Sequence, residues 1–117
     1  MTLHKGSCHC GKVVIEVETD IDQVIECNCS ICSRKGYLLA FAPRVAMKVV
    51  QGEDSLTTYQ FNTHNIRHRF CATCGAATFG EGQNPATGEP MAAINVRCLD
   101  DVDPSALTIT PFNGRDR

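Results

Sequence analysis

Seven of the eight cysteines in this chain fall into three tight clusters, Cys8-His9-Cys10, Cys27-Asn28-Cys29-Ser30-Ile31-Cys32 and Cys71-Ala72-Thr73-Cys74, and only Cys98 stands alone. No other feature constrains the fold as strongly. Thiolates this close together repel one another and gain little from pairing locally, whereas a soft divalent cation accepts several sulfurs at once. The clusters hold two, three and two cysteines, which divides into one closed four-sulfur site and one site with three. A three-ligand zinc site keeps a position open for water or substrate, the property that separates catalytic from structural zinc. The expectation is two Zn2+ ions with different roles.

The competing reading is a disulfide scaffold, since the cysteine count is even. Against it, Met1-Thr2-Leu3-His4-Lys5-Gly6 contains no apolar h-region. No stretch approaches the ~18 apolar residues of a membrane span either. The chain is expected to be cytoplasmic, reduced and without a membrane partner. Its 117 residues suit a single domain, 1–117, large enough for a modest core and stapled by metal. Eleven basic against thirteen acidic residues give a net charge of −2. Arg34-Lys35 and Arg67-His68-Arg69 are too short to form the basic stripe of a nucleic-acid binder, so nucleic acid is not an expected partner.

Periodicity favours strands. Val13, Ile15 and Val17 share one face of an extended Lys12–Glu18 segment. Tyr37-Leu38-Leu39-Ala40-Phe41 is an apolar run stopped by Pro43, and Val45, Met47 and Val49 alternate with Ala46 and Lys48 before Gly52 turns the chain. Thr57 to Phe61, Ala77-Thr78-Phe79, Met91 to Val96 and Leu107 to Ile109 also read as strands. Gly80 to Pro90, with three glycines and two prolines, reads as a loop, and Asp100 to Pro104 as a turn. No segment carries a long apolar helix period. The fold class is mainly β.

Strand geometry accounts for the unusual CxC spacing, because residues i and i+2 of an extended segment point the same way. CxxC suits a tight turn, with Gly75 supplying the flexible backbone, and Gly6 and Gly11 flank the first pair in the same manner. Joining Cys8 and Cys10 to Cys71 and Cys74 would close a loop of about sixty residues, a large restriction of the unfolded chain.

These motifs, Gly6-Ser7-Cys8-His9-Cys10-Gly11, Cys27-Asn28-Cys29-Ser30-Ile31-Cys32 and Phe70-Cys71-Ala72-Thr73-Cys74-Gly75, resemble the glutathione-dependent formaldehyde-activating enzyme family from Gly6 to about Gly114. Leu56-Thr57-Thr58-Tyr59-Gln60-Phe61-Asn62-Thr63-His64 and Cys98-Leu99-Asp100 look most like the branch containing centromere protein V. The resemblance implies a β-tent of stacked antiparallel sheets. It also implies a structural zinc on Cys8, Cys10, Cys71 and Cys74, and a catalytic zinc on Cys27, Cys29 and Cys32. The implied chemistry is reversible formation or cleavage of the carbon–sulfur bond of S-(hydroxymethyl)glutathione, with glutathione or its adduct as partner. The alternative is a non-catalytic zinc module that binds a glutathione conjugate or a protein.

Arg34, Lys35 and Arg97 are candidates for the glutathione carboxylates through charge-assisted hydrogen bonds, although each taken singly also reads as a solvated surface charge. Cys98 is either a buried small apolar residue or a fourth thiolate that would close the second site. No histidine is assigned to catalysis. His68, three residues before Cys71, is expected on the opposite face in a hydrogen-bonded structural role. His9 is expected to face away from the metal, His4 to be exposed, and His64 to close a turn.

Overall fold

Alternating apolar positions in the amino-terminal half build the smaller of two sheets. The computed structural model describes residues 2–61 and 66–114. Within them the strands are β1 (Leu3–Ser7), β2 (Val14–Glu18), β3 (Gln23–Cys27), β4 (Leu39–Pro43), β5 (Met47–Gln51), β6 (Leu56–Tyr59), β7 (Arg67–Cys71), β8 (Phe79–Gln83), β9 (Pro90–Asn95) and β10 (Thr108–Phe112). One sheet has the order β1-β2-β5, the other β10-β3-β4-β9-β8-β7-β6. Val13, Ile15, Val17 and Met47 from the first sheet share a single buried core with Ala40, Ala42, Phe79, Ala92 and Ile94 from the second. Each fully buried Val or Ile contributes about 1.5–3 kcal/mol, so this seam is the main hydrophobic term holding the sheets together. The expected mainly β architecture is observed.

Four details differ from the sequence reading. All pairings are antiparallel except β10 with β3. Strand β9 lies inside the sheet between β4 and β8, so the chain must cross β4 and β3 to reach a free edge, and it arrives running in the direction of β3. Val45 does not alternate with Met47: the Arg44–Ala46 segment is a 3-10 turn, and Val45 is 96% exposed. Gly80 to Pro90 is not wholly a loop, because Phe79–Gln83 is β8 and only residues 84–89 connect it to β9. Gly80 and Gly82 mislead the reading because they occupy the outer face, while Phe79 and Glu81 are buried on the inner one. Glu81 is held by Arg44 Nε at 2.7 Å and Arg69 Nη1 at 2.8 Å. Burial raises its pKa, but Arg44 and then Arg69 outweigh it, and the net shift is downward. The fourth difference is His4, which is buried in β1 with Nδ1 2.9 Å from Asp101 Oδ2, since its position alternates with the exposed residues of an inward-facing strand.

Gly6 also acts differently from Gly11. It lies within β1, where a Cβ would run into the Cys98 carbonyl oxygen, so it permits close backbone approach rather than a turn. The one helix among the described residues is α1 (Ser30–Lys35), closed by Gly36 at φ 71°. At six residues it is too short for a readable apolar period.

Candidate metal centres

Two hairpin-like turns place the first group of sulfurs. After β1, the Gly11 N–H donates to the Cys8 carbonyl at 3.2 Å, with Gly11 at φ 82°. After β7, the Gly75 N–H donates to the Cys71 carbonyl at 2.8 Å, with Gly75 at φ 81°. Cys8 and Cys10 therefore converge through a turn and not through the extended geometry expected for CxC. A turn has an advantage for a ligand, because its amides point inward: Val13 N–H donates to Cys8 Sγ at 3.3 Å and Thr73 N–H to Cys71 Sγ at 3.4 Å. Such bonds favour thiolate over thiol. The Cys74 thiol is lowered to about 6, first by the Ala76 amide and then by that of Cys10.

The sulfurs of Cys8, Cys10, Cys71 and Cys74 all lie within 4.8 Å of one another. Cys8 and Cys10 are 3.6 Å apart, and Cys10 and Cys71 are 3.7 Å apart. A disulfide would require about 2.05 Å. Four sulfurs each about 2.3 Å from a central zinc would stand about 3.8 Å from one another, so the spacing fits a tetrahedral thiolate site. Cys8 and Cys71 are buried in the core between the sheets, and Cys10 is exposed.

Cys27, Cys29 and Cys32 form the second group, again within 4.8 Å of one another. Cys27 ends β3, Cys29 is the residue capping α1, and Cys32 lies within that helix. Burial raises the Cys29 pKa, but the Cys32 amide and neighbouring donors reverse this to a net lowering, while burial drives Cys32 upward. The carboxy-terminal strand braces the cluster: Asn28 N–H donates to the Phe112 carbonyl at 3.1 Å, and Asn28 Nδ2 donates to Asn113 Oδ1 at 2.9 Å. Gly114 packs so closely that a Cβ there would sit 2.5 Å from Cys27 Sγ. This contact is not legible in the sequence, because Gly114 meets Cys27 only through the parallel β10–β3 pairing.

Cys98 does not join the second group. It donates to the Ala77 carbonyl at 3.5 Å, and its pKa is pushed up to about 11 by burial and then by Cys8 and Cys74. Of its two readings, the fourth-ligand one is not realised, and Cys98 is a half-buried thiol beside the four-sulfur site.

A cavity of about 980 Å³ opens beside the three sulfurs, lined by Cys27, Cys29 and Cys32 together with Tyr37, Phe41, Phe61, His68 and Gly114. An adjoining cavity of about 570 Å³ shares Arg34, Phe61 and His68 with it and adds Lys35, Tyr59 and Phe70. Arg34 Nη1 donates to the Ser30 carbonyl at 2.9 Å, and the Lys35 ammonium lies 4.9 Å from the Phe70 ring centroid. Arg97 lines neither cavity, and its Nε donates to the Gly36 carbonyl at 3.0 Å. His68 does face away from Cys71, but it is held by stacking between Tyr37 and Phe61, with centroids at 6.5 and 5.6 Å. Burial, and then Lys35, lowers its pKa. His9 is exposed, and His64 lies outside the described residues.

Comparison with known proteins shows the family and a similar fold. The family described as glutathione-dependent formaldehyde-activating enzyme matches residues 3–112. The crystal structure of a Rhodobacter sphaeroides protein is 39% identical and superposes with a TM-score of 0.77, covering 91% of this chain and 99% of that one. No helix among the described residues is long and apolar enough to cross a membrane.

Proposed function

The chain belongs to the glutathione-dependent formaldehyde-activating enzyme family, and from that premise we propose that it forms or cleaves the carbon–sulfur bond of a glutathione–aldehyde adduct such as S-(hydroxymethyl)glutathione. The observation that carries this reading is the contrast between a four-sulfur cluster anchored in the core by Cys8 and Cys71 and a three-sulfur cluster opening on a cavity. Zinc is the metal that best suits both sets of thiolates. Cys8, Cys10, Cys71 and Cys74 would hold the structural ion, and Cys27, Cys29 and Cys32 the reactive one. When bound there, zinc supplies Lewis acidity toward a substrate sulfur or oxygen.

The chain's own residues position the rest. Arg34 and Lys35 face the adjoining cavity, where they suit the carboxylates of glutathione. Arg97 supports this arrangement from behind, through its bond to the carbonyl of Gly36 at the end of α1. His68 lines both cavities, and its lowered pKa keeps it neutral near pH 7. It is the group suited to take the proton of the attacking thiol and return it to the aldehyde oxygen. The new carbon–sulfur bond replaces the π bond of the carbonyl, the proton moves from sulfur to oxygen, and nothing is oxidised or reduced. Cleavage runs through the same steps in reverse.

A reducing, cytoplasmic setting suits seven clustered thiolates, and residues 1–117 act as one unit of the family. Within it, Leu56 to His64 and Cys98-Leu99-Asp100 support the branch that includes centromere protein V. Exchange spectroscopy by NMR on a mixture of glutathione and formaldehyde tests the activity. Added protein accelerates interconversion of the adduct and its components, whereas a rate equal to the uncatalysed one, with both metals bound, overturns the reading.

A further inference from the structure

The floor of the larger cavity has a shape that a one-carbon substrate does not explain. Cross-strand register sets Phe41 opposite Ala93, Ala93 opposite Gly80, and Gly80 opposite His68, in one row across β4, β9, β8 and β7. Residues directly opposite one another share a face of the sheet. The row therefore has an aromatic ring at each end and only a methyl group and a hydrogen in the middle, which makes a trough. Phe41 is 52% exposed beside it, a large apolar surface that nothing among the described residues covers.

The trough leads to the sulfurs. The neighbouring row sets Leu39 opposite Asn95, and Ile25 opposite Leu39. Cys27 lies two residues beyond Ile25 on the same face. At about 6.7 Å for each two-residue step, the trough extends about 13 Å along the strands from the cluster. Its floor offers little polarity. Asn95 is committed: its Nδ2 donates to the Ala77 carbonyl at 2.9 Å, and its Oδ1 accepts from Arg97 N–H at 3.3 Å. Lys35 lines only the adjoining cavity, which the sulfurs do not line, and Arg34 stands where the two cavities meet, lining both. The site thus has a lobe that carries both cations and a mostly apolar lobe, joined at Arg34, and the three sulfurs line the mostly apolar one. Small ligands that bury apolar groups are recognised by such surfaces, with a few polar anchors fixing their orientation.

We propose that the adducts handled here are those of glutathione with larger apolar aldehydes, aliphatic or aromatic. The hydrocarbon substituent lies in the trough between Phe41 and His68, and the peptide carboxylates lie toward Arg34 and Lys35. This rests on the lyase reading above, and the bonds exchanged are the same: a 1-hydroxyalkyl thioether separates into thiol and aldehyde with one proton moved and no redox change.

Calorimetric titration of the metal-loaded protein with S-hexylglutathione and S-methylglutathione tests it, because the two differ only in the chain that would occupy the trough. The hexyl compound is expected to bind at least tenfold more tightly. Ala93→Leu, which fills the trough, brings the ratio close to one, and Phe41→Ala, an exposed substitution with little risk to folding, lowers it severalfold. Equal affinities in the unmodified protein overturn the proposal. Turnover of the hydroxymethyl adduct without a hexyl preference sinks the trough alone. A hexyl preference without turnover of either the hydroxymethyl or the hexanal adduct sinks the lyase reading. Failure of both compounds to bind removes both.

Discussion

The two cysteine clusters are built from the same side chain and differ in everything around it. The four-sulfur cluster draws its ligands from two turns far apart in sequence, each closed by a glycine at positive φ, and sets Cys8 and Cys71 into the core between the sheets. The three-sulfur cluster draws all its ligands from six consecutive residues at the end of β3 and the start of α1, and it borders a cavity. A metal in the first ties two regions 61 residues apart, so its binding energy is part of folding. A metal in the second ties together residues that are already neighbours and adds little to the fold. The two clusters differ in the sequence distance between ligands and in the number of sulfurs, and not in the ligand type, and the proposed structural and reactive roles rest on that difference.

The sharpest way to break this comparison is to remove one ligand from each cluster. Cys71→Ser is expected to abolish folding, because structural zinc contributes on the order of 10 kcal/mol or more, comparable to the whole stability of a small domain. Cys29→Ser is expected to retain a cooperative melt while releasing one metal and ending adduct turnover. Thermal melts with elemental analysis decide between them, and equal loss of folding would make both clusters structural. Next in size is Gly114→Val. Its Cβ would press on Cys27 Sγ, so metal at the second cluster should bind at least tenfold more weakly, with the first unaffected; competition with a chromophoric chelator measures it. Unchanged affinity would mean that the carboxy-terminal strap is not part of the site.

How much of this was legible in the sequence follows the same division. The inner face of β2 and the CxxC turn could be read directly, because each depends on residues close together in the chain. The count of four and three followed from the cluster sizes, but which pairs share the first site, 61 residues apart, was implied only by the family resemblance. The cavity could not. Gly80 and Ala93 look like a loop residue and a strand residue until register places them side by side, and Phe41 looks like core until its face is known. His4 was misread because proximity to the amino terminus says nothing about which face of β1 it takes. The helix α1 was invisible because its length is set by the cysteine geometry and the Gly36 cap rather than by an apolar stripe.

The smallest expected effect concerns His68. Burial, and then Lys35, holds its folded pKa below the ordinary 6.5, so between those two values the unfolded chain binds more protons than the folded one. The stability it contributes is fully present above about 6.5 and is lost as pH falls through the folded value. Melting temperatures from pH 7 to pH 5 should therefore fall more for the wild type than for His68→Gln, the two sharing any loss from the thiolate sites. Parallel curves would show that His68 is not buried in its neutral form.

One cluster brings four sulfurs together and the other three, which leaves a position open on a metal bound there. Cobalt(II) loaded at both clusters reports on that position directly, since its visible absorption responds to a change of ligand. On titration with glutathione, a thiolate is expected to add to only one of the two cobalt ions, and Cys29→Ser protein, which keeps only the other, is expected to give no response. A spectrum unmoved by glutathione, or a response that survives in Cys29→Ser, would contradict this difference between the clusters.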